Sequence, residues 1–212
     1  MLAFDLGSYK GEFSDYLYSE GYNVIAVDPL NVNESINNTY IKAVVSSNKE
    51  TKKLWLNTNR AICSINKDFV NNSRFSKSVY YNSNSYTNEF IRIDSILYED
   101  LVKEYGTPDL VKIDVEGSEL DVINSIETFP EIICFEFHIE FKDDTEKILE
   151  ILKNNKYKFF NIQDFSYIEE CYKIPRFNLL YNDILSHINK DNRHRMPWQL
   201  SWGMIWAKKN RE

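Results

Sequence analysis

The sequence predicts a three-layer α/β sandwich on a mostly parallel sheet, and three observations predict it. Short apolar strands alternate with amphipathic helices along most of the 212 residues. The first two strands are joined by a helix within about 30 residues, the βαβ connection that parallel pairing requires. Two late strands flank a long aromatic-rich stretch. The length suits one large domain spanning 1–212, and 43% apolar residues can bury a sizeable core.

The elements follow in order. The run MLAFDLG reads as a strand that stops at Asp5 and Gly7. In GEFSDYLYSEG, Phe13, Tyr16 and Leu17 share one helical face, and Gly21 ends it. YNVIAVDP is a second buried strand, closed by Asp28 and Pro29, and TYIKAVVSS is a third. KKLWLN and SVYYNSNSYTNEFIRIDSIL alternate only briefly between Asn and Ser breaks, which marks hairpin or loop excursions. SILYEDLVKEYG is helical, with Ile96, Leu97, Leu101 and Val102 apolar and Gly106 as its stop. DLVKIDV is a strand, and SELDVINSIETF is a helix with Ser118 as N-cap. EIICFEFHI is buried strand again. DDTEKILEILKNN carries acids in its first turn and lysines later, matching the helix dipole. YKFFNIQ and WGMIWAKK are strands, and 164–201 between them is irregular.

Bulk properties exclude several functions. A formal charge of −7 disfavours a general nucleic-acid binder, so no DNA partner is expected. No apolar run is long enough to span a bilayer. Cys63, Cys134 and Cys171 share no metal-ligand spacing and read as reduced thiols. With no signal-peptide pattern at the start, a cytoplasmic location is expected.

The first candidate site is the loop DLGSYKGEF, between the first strand and the first helix. Ligands of open α/β sheets bind beyond the carboxyl ends of strands. Gly7 and Gly11 allow close backbone approach, but Tyr9 and Glu12 stand where a dinucleotide fingerprint needs glycine. Asp5 suits a cationic or amino-bearing ligand better than a phosphate. Asp28, about 20 residues on, is placed to accept hydrogen bonds from ribose hydroxyls. Together they fit S-adenosylmethionine, which has a ribose, an amino-acid tail and a sulfonium; a bare tight turn is the alternative.

The second is KIDVEGSEL. Asp114 and Gly117 can simply make a turn into the next helix. Alternatively, Asp114 and Glu116 face the ligand. Further along, Glu136 and His138 alternate onto one face of their strand. His138 has the near-neutral pKa of a general base, or is a structural histidine. Glu136 needs a partner inside an apolar strand, and Lys112 is a candidate. Asp114, Glu116, Glu136 and His138 also offer oxygen and imidazole ligands for Mg²⁺ or Mn²⁺, without a diagnostic spacing.

In this order, FDLGSYKGEFS, VIAVDP and LVKIDVEGSELDVI resemble the FkbM family of S-adenosylmethionine-dependent methyltransferases. The motif K-I-D-V-E-G-[SA]-E is complete from Lys112 to Glu119, and ICFEFH resembles the family's following strand. The resemblance covers roughly residues 3–160 plus WGMIWAKK. It departs at Ser8 and Tyr9, where the family loop more often has a small residue and an asparagine. The resemblance implies a Rossmann-like class I methyltransferase fold: a mostly parallel seven-stranded sheet with an antiparallel C-terminal strand. It implies O-methylation of a hydroxyl on a saccharide, glycan or related metabolite. Cofactor contacts are then expected from Asp5, Gly7, Ser8, Tyr9, Gly11, Asp28, Pro29 and Asp114. Catalytic roles fall to Asp114, Glu116, Glu136 and His138.

The stretch 164–201 is the expected substrate-side insertion or lid. It holds Tyr167, Tyr172, Phe177, Tyr181 and Trp198 with Arg176, Lys190, Arg193, His194 and Arg195, and Trp202 follows it. Aromatic and basic groups together fit an anionic acceptor; an ordinary helical insertion is the plainer reading. An RNA or protein methyltransferase, a non-catalytic cofactor-binding module and an NAD-dependent oxidoreductase are the rival functions.

Overall fold

The computed structural model describes residues 1–30, 32–76, 86–165, 173–189 and 201–210. The opening βαβ unit forms as expected. β1 (Leu2–Leu6) and β2 (Asn23–Asp28) pair in parallel across α1 (Glu12–Ser19). β3 (Asn38–Lys42) extends the sheet beyond β2. On the other side of β1, β7 (Leu110–Ile113) and then β8 (Ile132–His138) continue in parallel. β10 (Trp202–Lys208) lies between β8 and β9 (Phe159–Asp164) and runs antiparallel to both. The seven-stranded order is β3-β2-β1-β7-β8-β10-β9. Strand order reverses between β1 and β7, and a crevice opens there because the connections leave in opposite directions.

Alternation divides the side chains between two helical layers. Ala3, Leu110, Cys134, Met204 and Trp206 pack under Phe13 and Leu17 of α1. On the other face, Phe4, Val111, Ile113 and Phe135 pack against α3 (Tyr98–Tyr105), α4 (Glu119–Asn124) and α5 (Lys142–Asn154). The three-layer sandwich is therefore present. No helix among the described residues is long and apolar enough to cross a membrane.

Several local expectations change. TYIKAVVSS does not make one strand: after β3, Val44–Val45 form β4 in a second sheet of order β4-β6-β5. In that sheet β5 (Thr51–Asn57) pairs antiparallel with the eleven-residue β6 (Tyr86–Ile96). Most of β6 is exposed, so it lacks the apolar alternation that announces a strand. Ile96 ends β6, and α3 starts two residues later. Ser118 occupies the N-cap of α4 but makes no capping hydrogen bond. Glu119 turns back instead, and its Oε1 accepts from Val115 N at 2.9 Å and Gly117 N at 3.2 Å. The stretch expected to be irregular contains α6 (Tyr181–Ile188), whose Ile184 and Ile188 join the main core. Tyr167, Tyr172, Lys190, Arg193, His194, Arg195 and Trp198 lie outside the described residues.

Candidate active site

The carboxyl ends of β1, β2, β7 and β8 open onto a cleft of about 480 Å³, within the ~300–1,000 Å³ typical of small-molecule sites. Its first wall is the loop from Gly7 to Phe13. A second wall comes from the excursion after β3, including Val44, Leu54, Ile62, Arg74 and Phe75. Lys112, Asp114, Glu116 and Glu136 line it from the sheet side.

The loop is built by close backbone crossing. Gly7 has φ +79°, and a Cβ there would sit 1.7 Å from the Asp114 carbonyl oxygen. Gly7 N donates to Val27 O at 2.8 Å and Asp114 N donates to Leu6 O at 3.0 Å, so β1, β2 and β7 are tied at this point. Tyr9 is left-handed, with φ 43°. That conformation aims its N–H at Asp28 Oδ2 (2.9 Å), while Leu30 N donates to Oδ1 (2.8 Å). Both oxygens keep a lone pair for further donors. Burial raises the Asp28 pKa, against the two amides that lower it.

The acids come from register. Asp5, Lys112 and Cys134 are neighbours across β1, β7 and β8, and two residues onward Asp114 and Glu136 follow on the same face. Lys112 is buried, 3.3 Å from Asp5 Oδ1 and 3.2 Å from Asp114 Oδ2, and donates to Gly7 O at 2.9 Å. Burial opposes its charge, but Asp114 and Asp5 outweigh it and hold the ammonium firmly protonated.

Beyond β7 the chain makes two left-handed residues, Glu116 (φ 57°) and Gly117 (φ 88°). Non-glycine residues adopt this conformation only when their surroundings impose it. Ser64 Oγ donates to Glu116 O at 2.6 Å and Asn66 Nδ2 donates to Gly117 O. Phe69 of α2 (Lys67–Asn72) packs where a Gly117 Cβ would be, 2.4 Å away. The turn leaves Glu116 Oε2 buried without a hydrogen bond.

His138 stands behind Glu136 in an aromatic enclosure. The rings of Phe69 and Trp202 are 5.2 and 6.3 Å from the imidazole, and Phe75 is 6.1 Å away. Its Nε2 lies 3.0 Å from Glu136 Oε2, but off hydrogen-bonding alignment: both imidazole nitrogens and Glu136 Oε2 are buried without a hydrogen-bond partner. Burial, then Arg74, lowers the His138 pKa to about 4. Burial, then the surrounding carboxylates, raises Glu116 and Glu136 well above the ordinary range, and Glu119 to about 7.

The model of the methyltransferase FkbM domain matches residues 5–159. The chain belongs to the FkbM methyltransferase family. Membership makes it a methyltransferase with S-adenosylmethionine as cofactor. A SAM-dependent methyltransferase from Archaeoglobus fulgidus is similar at 17% identity, over 98% of this chain and 86% of that one, with TM-score 0.40. An antibiotic-related methyltransferase is similar at 12% identity, over 97% and 86%, with TM-score 0.37. No curated protein matches.

In this FkbM methyltransferase the cleft gathers Gly7, Ser8, Tyr9, Asp28, Pro29, Asp114, Glu116 and Glu136. Three expected residues fall outside its lining. Asp5 is fully buried below the loop, where it accepts from Ser14 Oγ at 2.7 Å and holds Lys112. Gly11 caps α1 beside Ser35. His138 is screened by Glu136, and its lowered pKa corrects the near-neutral base expected from residue type. Lys112 serves Asp5 and Asp114 rather than pairing with Glu136.

Sequence reasoning missed Arg74, which has no local signal. Its side chain is 1% exposed, with Nε donating to Glu140 Oε1 at 2.8 Å and Nη2 to Oε2 at 2.6 Å. Nη2 also reaches Ser201 O at 3.3 Å, so one guanidinium joins the cleft wall to the turn after β8 and the approach to β10. Arg74→Met strands the Glu140 carboxylate. The expected cost is about 3–5 kcal/mol of stability, read by urea unfolding; a loss below about 1 kcal/mol would show the pair is dispensable.

Proposed function

We propose that this FkbM methyltransferase transfers a methyl group to a hydroxyl of a saccharide, glycan or related small metabolite. The observation that carries the reading is the set of carboxylates Asp114, Glu116 and Glu136 lining one small cleft. An alcohol has a pKa of about 16, near that of water, so transfer to it needs a proton acceptor as the new bond forms. Glu116 and Glu136 have raised proton affinity and line the cleft, which suits them to that task better than the screened His138. Bound S-adenosylmethionine supplies an electrophilic methyl. Asp28 is proposed to accept from the ribose hydroxyls, with Gly7, Ser8, Tyr9 and Pro29 shaping the pocket around the nucleoside. Asp114, held by Lys112, keeps negative charge near the cationic end of the cofactor.

An acid-lined cleft favours an uncharged polyhydroxyl acceptor over an RNA backbone, and the net charge of −7 agrees. A cytoplasmic setting accords with the free, buried thiols of Cys63 and Cys134.

Two measurements test the reading. Calorimetry with S-adenosylhomocysteine is expected to give one site, weakened about 10–100-fold in Asp28→Ala; unchanged affinity would remove Asp28 from the cofactor site. Transfer of labelled methyl to a panel of saccharides, RNA and proteins is expected to mark saccharide hydroxyls. Label found only on RNA or protein would overturn the acceptor class.

A further inference from the structure

Among the described residues seven buried side-chain polar atoms lack a hydrogen bond, and four of them converge on one spot. Glu116 Oε2, Glu136 Oε2 and both nitrogens of His138 are buried and lack a hydrogen bond. One ligand atom from each of the three residues lies within 4.8 Å of the others. A second trio, Asp114, Glu119 and Glu136, is equally close. Two of its members are already engaged, Glu119 by two backbone amides and Asp114 by Lys112. Buried polar groups in native proteins are paired almost without exception, so three orphans facing one another call for a missing partner.

The partner that suits two carboxylates and an imidazole at once is a cation. Glu136 and His138 are 8% and 4% exposed, and the imidazole Nε2 lies 3.0 Å from a carboxylate oxygen without being aligned for a hydrogen bond to it. At that misaligned geometry neither tautomer of the imidazole makes a hydrogen bond to the carboxylate, whereas a cation between them satisfies both atoms. Lys112 does not serve, since it holds Asp5, Asp114 and Gly7 O. Arg74 is bound by Glu140 and Ser201 O. Glu116 and Glu136 also line the cleft, so an ion bound here would be reached from the cleft side.

We propose that Glu116, Glu136 and His138 form a binding site for one divalent transition-metal ion, with Mn²⁺ the best match. Two carboxylates suit Mg²⁺ or Mn²⁺, and an imidazole nitrogen shifts the choice towards Mn²⁺ and away from Ca²⁺. Bond lengths of about 2.0–2.2 Å place ligand atoms within roughly 4.4 Å of each other, so small side-chain rotations close the site. The enclosure by Phe69, Phe75 and Trp202 keeps competing water from the imidazole. This site stands whether or not the acceptor is a saccharide.

The test is Mn²⁺ titration of chelator-treated full-length protein, without cofactor, read by electron paramagnetic resonance. One Mn²⁺ per chain is expected, with nitrogen modulation from His138 in the pulsed spectrum and a rise in melting temperature that chelator reverses. His138→Gln should remove the nitrogen signal, and Glu116→Gln should weaken binding at least about 10-fold. Asp28→Ala, which tests the cofactor site, should bind Mn²⁺ as the wild type does. Failure to bind Mn²⁺ by wild-type protein that still binds S-adenosylhomocysteine would overturn the metal site alone. So would a bound ion with no nitrogen signal, or one unaffected by both substitutions.

Discussion

Gly7→Ala is expected to abolish measurable S-adenosylhomocysteine binding and to cost roughly 3–5 kcal/mol of stability. Two independent penalties combine. The first is conformational: φ +79° is a region that L side chains rarely adopt. The second is steric. The new methyl would meet the Asp114 carbonyl oxygen 1.7 Å away, and that oxygen is backbone, so no rotamer relieves it. Relief requires the loop to lift from β7. Lifting breaks the Gly7 N–Val27 O bond and removes Gly7 O from Lys112, leaving that ammonium with the two acids alone. Tyr9 N then loses its aim at Asp28 Oδ2, the group proposed to hold the ribose. Ser8→Ala is the control: its side chain accepts a 3.3 Å bond from Asn33 and little else, so a loss under about 10-fold in affinity is expected. Gly7→Ala protein that melts and binds as the wild type does would show that the loop moves freely over β7.

What the sequence made legible was punctuation and periodicity. Asp5 and Gly7, then Asp28 and Pro29, mark strand ends because carboxylates and turn residues do not continue a buried strand. Those ends are where the cleft lies. Alternation correctly set Glu136 and His138 on one face, but not what faces them. Lys112 is paired through register with Asp5 on β1, a relation that needs the strand order and not the spacing within one strand. The imidazole's low pKa arises from Phe69, Trp202 and Arg74, which come from distant parts of the chain. The second sheet, which carries Val44 and Leu54 of the cleft's second wall, was hidden for a different reason. β6 is exposed along most of its length, so its residues carry no burial signal. The turn at Glu116 and Gly117 was visible as a motif, yet its anchors Ser64 and Asn66 sit in the excursion whose pattern was weakest.

Glu136→Gln is expected to make the protein more stable and nearly inactive. The side chains are the same size, so packing beside Met204 on β10 is kept. What changes is charge and one donor. The carboxylate is buried beside Asp114 and Glu119, and both raise its proton affinity. An amide removes that repulsion and brings an N–H₂ that can donate to the unbonded His138 Nε2, now 3.0 Å from Glu136 Oε2. A gain of about 1–2 kcal/mol, or roughly 2–6 °C, is expected in chelator-containing buffer. The amide neither accepts the acceptor's proton nor ligates a cation as a carboxylate does, so kcat should fall about 10²–10⁴-fold. Affinity for S-adenosylhomocysteine should stay within about threefold, because the proposed cofactor contacts lie on β1, β2 and β7. The two readouts separate the explanations. A carboxylate kept only for folding would give a less stable variant with kcat intact. Higher stability with lost turnover marks a charge held in the cleft against the interest of folding, which is what a residue selected for chemistry looks like.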